Sequence, residues 1–147
     1  MQMKTILRNI FAVIIGLAVG GTLNMALIIA SPHVIAPPAG VDVTDSQSLS
    51  TSMHLFEPKH FVFPFLAHAL GTLAGALLAF LIAASYRSAF AYTIGAVFLA
   101  GGIAVACMIP APVWFMIHDL GAAYIPMAWL GTHLGRRIIG EAGGSKT

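Results

Sequence analysis

Apolar residues fill four stretches of this chain, at residues 9–30, 61–84, 88–109 and 113–135, and most charged residues fall in the gaps or at the ends. Each stretch is about 20 residues or slightly longer, enough to cross a hydrocarbon core of about 30 Å as a helix. Lipid offers backbone groups no hydrogen-bond partners, so runs of this length predict helices. The pattern therefore predicts an all-α polytopic membrane protein. Residues 1–147 form a single membrane domain, an up-down bundle of four transmembrane helices.

The gaps differ in character. Pro110-Ala111-Pro112 predicts a tight turn, with Pro110 ending one helix and Pro112 starting the next. The outer loop, residues 31–60, begins irregularly with Pro32, Pro37, Pro38 and Gly40. Thr44-Asp45-Ser46-Gln47 then reads as a capping box. Leu49, Met53 and Phe56 follow at helical spacing, which predicts a short amphipathic helix on the outer membrane face or across the bundle mouth, ending at Glu57-Pro58.

Within the spans, small residues recur at every fourth position. Span one carries Ala12, Gly16 and Gly20 with Asn24; span two carries Ala67, Gly71, Gly75, Ala79 and Ala83. Span three has Ala96, Ala100 and Ala104 beside Gly101 and Gly102, and span four has Gly131 and Gly135. Lipid supplies no hydrophobic drive between helices, so such stripes are where helices approach closely, within one chain or between copies. Pro126 lies inside span four; it predicts a kink that frees the carbonyl of Ala122.

Composition strengthens the membrane reading. The chain is 59% hydrophobic and only 8% charged, against about a quarter charged in soluble domains. The net charge of +2 does not imply a nucleic-acid partner, because the basic residues sit at span ends and form no stripe. With both termini cytoplasmic, Lys4, Arg8, Arg87, Arg136, Arg137 and Lys146 all face inward and only Lys59 faces out. The first run is longer than a signal-peptide core, so it is expected to be a retained span. A single cysteine, Cys107, excludes an internal disulfide.

Asp119 is the only carboxylate inside an apolar run. Such a group is costly in a membrane and is a functional candidate by default. At 1.5 Å per residue, Asn24, His68 and Asp119 all lie roughly 9–10 Å below the outer ends of their spans, and His118 adjoins that level. Asn24 continues the glycine stripe and His68 borders it, so both are expected to point inward. Asp119 and His118 are about 100° apart around the helix and cannot both do so. His54, Glu57 and His60 of the loop lie over this tier.

Three readings of the tier compete. Asn24, His68 and Asp119 can be mutual hydrogen-bond partners that glue the bundle. The tier can be a proton or cation site near the outer face, coupled to transport. Or His68, His118 and Asp119, with His54, Glu57 or His60, can ligate Zn or Fe. Serine nucleophile elbows, phosphate loops, dinucleotide fingerprints and HExxH are absent, so the expectation leans away from an enzyme.

Residues 53–75, MHLFEPKHFVFPFLAHALGTLAG, with PVWF at 112–115 and GAAYIP at 121–126, resemble a family of small four-span bacterial inner-membrane proteins of uncharacterised activity. The resemblance extends over most of the chain. It implies the bacterial inner membrane and no particular substrate. The expected function is that of a small multi-pass membrane protein, an accessory or assembly partner. Its partners are then the lipid bilayer and either a second copy or another membrane protein.

Overall fold

The computed structural model describes residues 2–144, with side chains described through residue 140. Every regular element among them is helical. Helix α1 (Gln2–Val34) is followed by the short α2 (Ser46–Ser52) and two 3₁₀ turns, Met53–Leu55 and Pro58–Phe61. Then come α3 (Val62–Ile82), α4 (Arg87–Met108), α5 (Val113–Ala122) and α6 (Ile125–Gly144). Three segments, Gln2–Val34, Pro58–Ile82 and Arg87–Met108, are helical, long and apolar enough to cross a membrane. This is the make-up of a membrane protein.

The fourth apolar run is not one helix. The expected kinked span over 113–135 breaks at Ala123–Tyr124 into α5 and α6. The cause is Pro126, which has no N–H for the carbonyl of Ala122 and whose ring crowds that carbonyl. The chain closes α5 with the Ala123 N–H on the Asp119 carbonyl at 3.0 Å. It restarts as α6 with Pro126 in the first turn, where a missing donor costs nothing.

Helix α3 is the centre of the set, packing against α1, α4 and α6. Its contact with α1 is antiparallel and glycine-lined. A Cβ placed on Gly16 would stand 2.7 Å from the Gly75 carbonyl oxygen, and one on Gly20 would stand 2.6 Å from that of Gly71. The two backbones therefore touch, as the small-residue stripes predict. Helix α4 fills the holes that the glycines leave: Ile94 reaches Gly16 and Gly75, and Phe98 reaches Gly20.

The expected stripe on α4 is not the packed face. Ala96, Ala100 and Ala104 are exposed, and nothing lies within 4 Å of a Cβ built on Gly101. The buried positions are Ala91, Ile94, Gly95 and Gly102. With glycines already on α1 and α3, the third helix contributes large side chains, and only Gly95 and Gly102 are needed for α5–α6. On α6, Gly131 meets the α3 backbone at Leu73 and Leu77, and Gly135 lies against the Phe80 ring.

In the loop, the seven-residue α2 is capped by Asp45 rather than Thr44. The Asp45 carboxylate accepts from the Ser48 N–H at 2.7 Å. Thr44 is engaged elsewhere, donating its N–H (2.8 Å) and hydroxyl (2.6 Å) to Asp42 Oδ1. The regular helix stops at Ser52, and Leu49, Met53 and Phe56 are half-buried. Those two Thr44 bonds, the hydroxyl's first, hold the Asp42 carboxyl below its ordinary value of 3.8. The bonds favour the charged form in the folded state, so their small contribution is present above the ordinary value and is lost as pH falls through the folded one. A carboxyl NMR titration should place the Asp42 midpoint below 3.8, and Thr44→Val should raise it. An unchanged midpoint in the variant would refute the assignment.

Candidate functional site

The Asp119 side chain is nearly sealed, with the residue 5% exposed. His68 Nδ1 lies 2.8 Å from Oδ1 and 2.9 Å from Oδ2, and the Tyr124 hydroxyl donates to Oδ2 at 3.0 Å. A carboxylate is an acceptor, so His68 carries its hydrogen on Nδ1 and donates it there. The imidazole also stacks on the Tyr124 ring, with centroids 5.7 Å apart and planes 29° from parallel. The fully buried Thr72 donates its hydroxyl to the His68 carbonyl at 2.7 Å.

The break in the fourth run builds this cluster. Five residues along a continuous helix amount to about 140° of rotation, which would carry Tyr124 away from the face of Asp119. The interruption at Ala123–Tyr124 turns the phenol back onto the carboxylate. Gly102 on α4 makes room for it, since a Cβ there would collide with the phenol oxygen. Pro126→Ala should restore the hydrogen bond to the Ala122 carbonyl and make α5 and α6 continuous. In that background Tyr124→Phe should cost nothing, whereas in the parent it should cost about 1 kcal/mol of unfolding free energy. Equal costs in the two backgrounds would show that Pro126 does not set the break.

The other expected members of the tier lie elsewhere. Asn24 is half-buried against Gly71 on the α1–α3 contact and bonds to neither His68 nor Asp119. Tyr124 takes the place expected of Asn24, because α1 approaches α3 on the glycine side while Asp119 arrives from α5. His118 is exposed; its Nδ1 is 3.3 Å from the Trp114 carbonyl of its own helix. It lines a shallow surface groove of about 250 Å³ with Pro58, Phe61, Phe65 and Trp114. Of the two neighbours on α5, only Asp119 points inward, as the helical angle requires.

The loop residues do not reach the pair either. His54 is exposed, and Glu57 forms a surface ion pair with Lys59 at 3.0 Å. His60 is buried as a pin for the loop. Its Nδ1 accepts the Glu57 N–H at 2.9 Å, and its Nε2–H donates to the Ala36 carbonyl at 3.2 Å. Among the described residues, no three His, Cys, Asp or Glu side chains are grouped to hold a metal ion. The Zn or Fe site drawn from His68, His118, Asp119 and the loop is thus not assembled.

The cluster is closed on its carboxylate and open at one atom. Both Asp119 oxygens are engaged. His68 Nε2 has no partner among the described residues, yet it is not sealed away: the side chain is 18% exposed and no buried polar atom of those residues is left unsatisfied. The sequence pattern gives Tyr124 no part in the cluster and marks Gly102 only as a small packing residue. The available signal was a tyrosine in an apolar run, two residues before the proline that turns the helix. No family model, curated protein or solved structure matches the chain.

Proposed function

We propose that this is a small multi-pass protein of the bacterial inner membrane, with α5 and α6 together making a broken fourth crossing and both termini in the cytoplasm. It serves as an accessory or assembly partner of other membrane proteins, and the Asp119–His68–Tyr124 cluster clamps the broken crossing to α3. The observation that carries this reading is the occupancy of Asp119. A buried carboxylate with both oxygens taken by the chain's own donors is suited to holding helices together. Charge distribution supports the orientation: Arg8, Arg87 and Arg136 bond at the α3–α4 hairpin, while Glu57 and Lys59 lie at the other end of α3. With the amphipathic loop on the outer surface, the ring cluster of Phe56, His60, Phe61, Trp114 and Phe115 lies at the outer interface.

A second reading, a proton- or cation-coupled transporter, is favoured by one observation, the open Nε2 of His68. Asp119 fixes the imidazole so that this nitrogen presents a lone pair, which can take up a proton. Against it, His133 stacks on Trp129 and is exposed, so it supplies no inner continuation of a path. Proton flux into proteoliposomes under an imposed pH gradient separates the two. The accessory reading expects the same background flux from the parent and from Asp119→Asn. Flux in the parent that disappears in the variant would replace it with the transporter.

A further inference from the structure

The opposite end of the bundle holds an arrangement that the polar cluster does not use. Three arginines from three helices are tied to residues 82–88. Arg8 of α1 donates its Nε–H to the Ile82 carbonyl at 2.6 Å, and Arg87 of α4 donates its Nε–H to the Ala83 carbonyl at 3.0 Å. Arg136 of α6 donates from Nη2 to Ser88 Oγ at 3.1 Å. The first two ties satisfy carbonyls at the end of α3, where a cation is also favoured by the helix dipole.

Among the described residues, these ties leave most of the donors unused. A guanidinium has five N–H groups, and Arg8 and Arg87 each spend the one on Nε. Their terminal forks, the part that matches a phosphate in bidentate fashion, have no hydrogen-bond partner among the described residues. No carboxylate among the described side chains pairs with any of the three. The positive charge here therefore has no described protein counterion.

The hairpin to which they are tied is itself pinned to α1. Asn9 of α1 accepts the N–H groups of Ala84 (2.8 Å) and Ser85 (3.4 Å) and donates its amide to Ser85 Oγ at 2.9 Å. Tyr86 sits in the left-handed region at φ 48°, an uncommon backbone state for a residue with a side chain. It holds an 81% exposed ring beside Arg87. An outward phenol next to fixed guanidiniums is what the headgroup layer of a bilayer accommodates, an apolar ring with a polar tip.

We infer that the α3–α4 hairpin is a binding site for the phosphate of an anionic phospholipid. The forks of Arg8 and Arg87 grip the phosphate oxygens, Arg136 adds charge at the rim and Tyr86 lies among the headgroups. Anionic lipids of the cytoplasmic leaflet attract basic groups at the membrane surface, and fixed guanidiniums convert that attraction into a site. The inference rests on the proposed orientation, with this end of the bundle at the cytoplasmic face, and is independent of what Asp119 does.

The test uses the purified full chain in a mild detergent. Calorimetric titration compares short-chain phosphatidylglycerol, phosphatidylcholine with the same acyl chains, and inorganic phosphate. The expected result is phosphatidylglycerol binding at least about tenfold tighter than phosphatidylcholine, with the difference shrinking as salt is raised. Arg8→Gln with Arg87→Gln should remove the preference, Arg8→Lys with Arg87→Lys should reduce it by loss of the fork, and Lys59→Gln should leave it intact. Equal binding of the two lipids would overturn the inference. So would inorganic phosphate binding as tightly as phosphatidylglycerol, which would make this a free-anion site. A preference that survives in a folded double glutamine variant would overturn it too. Should that variant fail to fold, the salt series on the parent and the lysine variant decide.

Discussion

Gly20→Leu is expected to part α1 from α3 and to destabilise the purified protein by about 3 kcal/mol or more, the upper end for overpacking. A Cβ at this position would stand 2.6 Å from the Gly71 carbonyl oxygen and 2.8 Å from the Phe98 ring. The carbonyl belongs to a helix backbone and cannot yield without moving α3. The ring is fixed between two helices. The neighbouring Gly21→Leu is the control, because nothing lies within 4 Å of a Cβ built there. It should be close to neutral, since both substitutions add the same apolar side chain to one helix. Thermal unfolding followed by circular dichroism reads the difference. Equal midpoints for the two variants would refute the close α1–α3 contact.

That contact is the part of the fold most legible in the sequence. Glycine and alanine at every fourth position have one common physical use in lipid, the approach of two backbones. Ala12, Gly16 and Gly20 and then Gly71, Gly75 and Ala79 are buried accordingly. On α4 the stripe is not used inside the bundle, because small residues permit approach without requiring it. Once two helices meet through glycine, the groove beside them wants volume. Ile94 and Phe98 supply it, and Ala96, Ala100 and Ala104 turn outward.

The site was legible to the same degree and for related reasons. Depth along each run placed His68 and Asp119 at one level, and they are hydrogen-bonded. Depth carries no information about which helices are neighbours, and Asn24, at the same depth, lies on the α1 side of α3. Tyr124 was hidden by the assumption of a continuous helix. Proline signals an interruption, but the rule alone does not say how far the helix opens or which face residue 124 then takes.

Asp119→Ala is the second substitution with a large expected effect, a loss of about 3 kcal/mol of stability. It removes the acceptor for His68 Nδ1–H and the Tyr124 hydroxyl together, leaving two donors in a place that water does not readily reach. Tyr124→Phe should cost only about 1 kcal/mol, since His68 still holds both carboxylate oxygens. Combining the two should be less costly than their sum, because the phenol has nothing to donate to once the carboxylate is gone. A double-mutant cycle should give a coupling of at least about 0.5 kcal/mol. Additivity would mean that the 3.0 Å bond carries no energy, and the clamp would lose one of its two arms. His68→Asn provides the remaining contrast. An amide can donate to Asp119 but has no lone pair equivalent to the open Nε2. If stability is largely kept while a partner-dependent or proton-dependent activity vanishes, the clamp is also a site. If stability falls as far as with Asp119→Ala and no activity is lost, the imidazole serves packing alone.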